Sequence, residues 1–89
     1  MKTEKNPALV ALGQQIRKVR QVRGISQEAF AVEAGFGRSY YSGVERGARN
    51  ISALNLMRVA VALGVEVGEL FPKAEEFKAL LDTSAAEDG

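Results

Sequence analysis

With 89 residues the chain has room for one hydrophobic core and no second. It contains no cysteine and no histidine, which removes disulfides, thiolate metal sites, the commonest metal ligand and the commonest general base. No paired acids frame a pocket either, so neither an enzyme nor a cofactor is expected. No apolar run approaches the ~20 residues of a membrane span, and Met1 to Lys5 lacks the apolar centre of a signal peptide, so the expected compartment is the cytoplasm with no membrane partner. The net charge of +1 hides an asymmetry. Ile16 to Arg58 holds eight basic and three acidic residues, a net of +5, whereas Glu66 to Gly89 holds two and seven, a net of −5. A basic centre joined to an acidic end suits a polyanion on one face only.

Residues 1–6 read as a flexible arm, 7–81 as the folded domain and 82–89 as a disordered acidic tail. Asn6-Pro7 is a helix start, since Asn caps and Pro is tolerated at the first helical position. Leu9, Leu12, Ile16 and Val19 then recur at helical spacing until Gly24. Ser26 caps a short second helix with Glu28 in its first turn, an inward face of Ala29, Phe30 and Ala34, and a stop at Gly35. A third helix runs from about Arg38 to Arg46 with Tyr41 and Val44 inward, the Tyr41 hydroxyl at the edge of the core, and Gly47 closing it. Ser52 caps a fourth, with Leu54, Met57 and Val61 as its core stripe and Gly64 as its end. Val67 to Phe71 forms a short fifth helix stopped by Pro72, and Lys73 to Leu81 is compatible with a sixth. Nothing alternates as a strand does, so the fold class is all-α.

Ser26 to Arg46 is a helix, a Gly-containing turn and a second helix. Two short helices joined this tightly cross steeply, and Ala31, Ala34 and Gly35 are small enough to let them. The second helix of such a pair can enter a DNA major groove while the first braces against the backbone. Its outward side carries Arg38, Ser39, Tyr40, Ser42 and Arg46. Arg can bond guanine bidentately, and Ser can bond a base edge or a phosphate.

Several strings make the pattern more specific: IR-x-x-R near the end of the first helix, G-x-SQE-x-FA, S-x-Y-S-x-VERG, and the closing ALGV-x-x-x-ELF. With these, Ile16 to Phe71 closely resembles the phage-repressor (Xre/Cro-type) helix-turn-helix family. Within it, RSYYSGVERGARNIS is most similar to the small controller proteins of restriction–modification genes. The resemblance implies a compact five-helix, lambda-repressor-like DNA-binding domain. It implies base reading by Arg38, Ser39 and Ser42. It implies phosphate or supporting contacts from Gln27 and Tyr40, and phosphate contacts from Arg49, Asn50 and Ser52. It also places Arg20 opposite Glu45 as a structural ion pair. Gly43 stands where other members carry a longer base-reading side chain, which implies poor readout there. Gly37 replaces a better-capping residue at the start of the third helix.

The function expected on this reading is sequence-specific binding of double-stranded DNA by a homodimer on a pseudo-palindromic operator. Regulation would come from occupying a promoter or from presenting a surface to RNA polymerase. The surplus apolar residues of the C-terminal third, Leu56, Val65, Val67, Leu70 and Phe71, are the expected dimer interface. The alternative is an antitoxin whose last segment, Lys73 to Gly89, wraps a protein toxin while the helix-turn-helix regulates the operon.

Overall fold

A computed structural model describes residues 6–88, with side chains as far as Asp82. The chain runs α1 (Pro7–Val22), α2 (Gln27–Ala34), α3 (Arg38–Arg46), α4 (Ala53–Leu63), a 3-10 turn (Val67–Leu70) and α5 (Ala74–Asp88). There is no strand among the described residues. Of the expected N-terminal arm only Asn6 is described; residues 1–5 lie outside the described residues.

Side chains fix the helix starts. The Asn6 side chain accepts from the backbone N–H of Ala8 at 2.8 Å and Leu9 at 3.4 Å. The hydroxyls of Ser26 and Ser52 accept from Ala29 N–H and Asn55 N–H, each at 3.1 Å. Each of these bonds satisfies an N–H that the helix itself leaves unpaired. α3 starts at Gly37 with no side-chain cap. Gly35 closes α2 at φ +81°, a left-handed conformation that lets the Phe36 N–H reach back to Ala31 O at 2.8 Å. The connection to α3 is therefore three residues long, and α2 and α3 are held as a tight pair.

The core gathers Leu12 and Ile16 from α1, Phe30 and Ala31 from α2, Tyr41 and Val44 from α3, Ile51, four residues of α4, and Leu70. Tyr41 is fully buried between Phe30 and Phe36, with ring centroids 5.2 and 6.1 Å away. α1 passes so close to α3 that Gly13 is itself buried against the Val44 and Glu45 carbonyls.

Three expectations need correction. The core stripe of α4 is Leu56, Val59, Ala60 and Leu63, whereas Leu54, Met57 and Val61 are 61, 54 and 79 % exposed. Both stripes have helical spacing, and the one containing Ala60 faces inward, where a small residue lets α4 sit close to its neighbours. Leu56 and Leu70 therefore belong to the protomer's own core and cannot serve the interface expected of them. Leu70 is fully buried at the end of the 3-10 turn, whose capping box has Glu66 N–H donating to the Glu69 carboxylate at 3.1 Å. On α2 it is Ala31, not Ala29, that joins Phe30 in the core. The backbone of α5 is helical to Asp88, with no Gly or Pro between Pro72 and Gly89. Phe71 and Phe77 meet edge to face at 5.6 Å and seat α5 beside α1.

Candidate nucleic-acid interface

α3 carries a single acid, Glu45, and turns it inward. The carboxylate takes Arg20 Nε at 2.6 Å and Nη2 at 2.9 Å as a bidentate pair. The Tyr41 hydroxyl donates to it at 2.5 Å and the Gln27 amide at 2.9 Å. Arg20 Nη1 goes to the Ile25 carbonyl at 2.6 Å, so the network joins α1, α2, α3 and the first turn. Every buried side-chain polar atom among the described residues has a partner. Burial alone would raise the Glu45 carboxyl, but the bonds from Arg20, Tyr41 and Gln27 outweigh it and hold the group below its ordinary range. The bond to Glu45 raises Arg20 despite desolvation. Burial, then the carboxylate it faces, pushes the Tyr41 phenol far up, so it stays a donor. The Tyr41 hydroxyl is thus not at the edge of the core; it is part of this buried clamp.

With Glu45 turned in, the outward surface of α3 is basic. Arg38 and Arg46 are exposed, as is Ser39, and Ser42 is half-buried. Arg46 Nε reaches back one turn to Ser42 Oγ at 3.4 Å, leaving the Ser42 hydroxyl proton available. Tyr40 is half-buried and leans on Phe36 at 5.6 Å. Its hydroxyl accepts from Asn55 Nδ2 of α4 at 3.1 Å, so the phenolic proton remains available to an outside acceptor. Arg49 and Asn50 are exposed in the loop after α3, and the Arg49 guanidinium lies 5.7 Å over the Tyr40 ring. Ser52 is exposed at the start of α4, its oxygen engaged in capping and its proton free to donate. Gln27 is committed through one amide hydrogen to Glu45, so its site is shared between the clamp and the surface.

A helix-turn-helix family model matches residues 16–70, which contain α2, α3 and their turn. The chain belongs to the Xre-type helix-turn-helix family of DNA-binding transcriptional regulators. It is 36 % identical over 72 residues to the control protein C.MunI of a Mycoplasma species, which covers 80 % of this chain and 97 % of that protein. It is also similar to the restriction–modification controller protein C.AhdI from Aeromonas hydrophila. That crystal structure superposes with a TM-score of 0.69 at 49 % identity, over 71 % of this chain and 96 % of the other. The structure of the biofilm master regulator SinR in complex with DNA matches at 37 % identity and a TM-score of 0.63, over 66 % and 95 %.

In this helix-turn-helix protein, α2 and α3 are the paired helices and α1 is their brace. Asn55 is a site residue that sequence reading missed. Its position in the first turn of α4, three residues after the capping Ser52, gives no hint that it reaches the Tyr40 hydroxyl fifteen residues earlier.

Proposed function

We propose that the protein binds an operator sequence-specifically as a homodimer and regulates restriction–modification genes. The observation that carries DNA reading is the inward turn of Glu45, which leaves Arg38, Arg46 and Arg49 on one exposed surface with no acid from α3 among them. On that surface Arg38, Ser39 and Ser42 read base edges from the major groove, and Arg49, Asn50, Ser52 and Tyr40 bind the phosphates that set its register. The controller function rests on the similarity to C.MunI and C.AhdI. Bound across a promoter the dimer excludes RNA polymerase; bound upstream it offers the polymerase a surface. The position of the operator therefore decides the sign of regulation.

Selection of a duplex from a random pool, followed by titration of the winner, tests this. Arg38→Ala is expected to weaken the selected duplex by about 1–3 kcal/mol and to relax preference at one base pair per half-site. Equal loss on selected and unrelated duplexes would make Arg38 a phosphate contact instead.

The interface we assign to the dimer is the outer stripe of α4, Leu54, Met57 and Val61, together with the exposed Val67 after the helix end. With Ala34 and Ala62 the stripe lines a shallow apolar groove between α2 and α4, flanked by Glu33 and Arg58. A two-fold partner can bring each of those charges against its opposite, as a self-complementary surface requires. Apolar area left open in this way marks an interface more often than it stays bare. To read successive major grooves, such a two-fold dimer has to hold its two copies of α3 one helical turn of DNA apart, roughly 34 Å. Val61→Asp is expected to give a folded monomer in sedimentation equilibrium at micromolar concentration. A dimer that persists places the interface elsewhere.

A further inference from the structure

Gly43 is buried although it lies on the same side of α3 as the half-exposed Tyr40, three residues before it. What covers it is Arg49. A Cβ built on Gly43 would meet Arg49 Cγ at 2.8 Å, with Nε at 3.5 Å and Cδ at 3.7 Å. The loop after α3 turns back through the Ala48 N–H to Gly43 O bond at 2.8 Å, and the Arg49 stem then crosses the helix at the glycine. Its guanidinium comes to rest over Tyr40, whose ring is itself held by Phe36 and by Asn55. The space left by the absent side chain is therefore filled by an arginine from outside the helix.

We infer that Gly43 is a positioning residue for DNA binding: its missing side chain seats Arg49 across α3 and fixes the guanidinium beside Tyr40 before DNA arrives. This rests on the DNA-binding reading above. A long side chain that is already ordered loses less freedom on binding, so the seat contributes affinity without itself touching DNA. The contacting atom is part of a flexible side chain, so an added methyl would displace Arg49 and leave the fold intact. Alanine is also the better helix former.

The test uses the full chain, the variants Gly43→Ala and Arg49→Ala, their double mutant, and a fluorescein-labelled duplex selected by the wild type from a random pool. Gly43→Ala is expected to raise Kd about three- to tenfold, with a thermal midpoint equal to or above wild type. In the Arg49→Ala background the same change should leave Kd where Arg49→Ala alone puts it. In the free protein, the Arg49 Cδ protons should carry an upfield ring-current shift that Gly43→Ala removes. Wild-type affinity in Gly43→Ala, an equal loss in both backgrounds, or an unmoved Arg49 signal overturns the inference. If the wild type selects no duplex, the DNA-binding reading fails, and the Arg49 signal still decides whether Gly43 seats it.

Discussion

Glu45→Ala is expected to remove about 3–5 kcal/mol of stability, the usual cost of leaving one half of a buried ion pair alone. Its partner Arg20 is 6 % exposed and would keep a charge with no counterion, and the Tyr41 and Gln27 donors would lose their acceptor. Domains of this size have only about 5–15 kcal/mol in hand, so the variant would sit near the edge of folding at ambient temperature. Urea titrations of Glu45→Ala, Arg20→Ala and the double mutant give the check. The double mutant should be less destabilised than the two single losses added together, because the second change removes the stranded charge. Strict additivity would show that the pair is not coupled.

The same network sets a pH dependence. Because the folded carboxyl lies below its ordinary value of 4.5, the unfolded chain takes up the proton first as pH falls. The contribution of Glu45 is therefore fully present above the unfolded value and is lost as pH drops through the folded one. Acid lability should set in below about pH 4.5, and Glu45→Gln should flatten that part of the profile while lowering stability at neutral pH.

Gly13→Ala is expected to destabilise by about 2 kcal/mol, even though alanine in a helix interior is ordinarily worth up to 1 kcal/mol over glycine. The added methyl would lie 2.5 Å from the Glu45 carbonyl oxygen and 2.8 Å from its carbon, and it would press on the Val44 oxygen too. These are backbone atoms, so no rotamer change relieves the clash; α1 and α3 must separate. Thermal melts should show a midpoint lower by about 8–16 °C for a domain of this size. A midpoint at or above wild type would mean that the helices part at little cost. Gly43→Ala, which meets only the flexible stem of Arg49, is expected to do the opposite.

Much of this was readable in the sequence because the signals are local. Asn6-Pro7, Ser26 and Ser52 cap the helices that follow them, and Gly35, Gly47 and Gly64 close the helices before them at positive φ. The outward polar set of α3 follows from 3.6-residue periodicity once Tyr41 and Val44 face in. The pairing of Arg20 with Glu45 was implied only by family resemblance, since nothing local links residues twenty-five apart. The inward face of α4 is not legible locally, because its residues offer two apolar stripes of equal spacing, and the choice between them depends on neighbours that periodicity does not see. Gly13 and Gly43 were equally opaque. Each glycine is defined by what lies across from it, a carbonyl pair in one case and an arginine stem in the other.

The clamp at Glu45 also has an evolutionary consequence. The tilt of α3 is set by Arg20, Tyr41 and Glu45, while Arg38, Ser39, Ser42 and Arg46 occupy other positions on the helix. On the proposed reading, orientation and readout are thus written largely in separate residues. On that reading a lineage can revise its operator at Arg38 and Ser39, exposed positions with no bond to the clamp, and each intermediate still folds with α3 held by the same network. Gln27, bonded to Glu45 and proposed to face DNA as well, is where such drift would be most constrained.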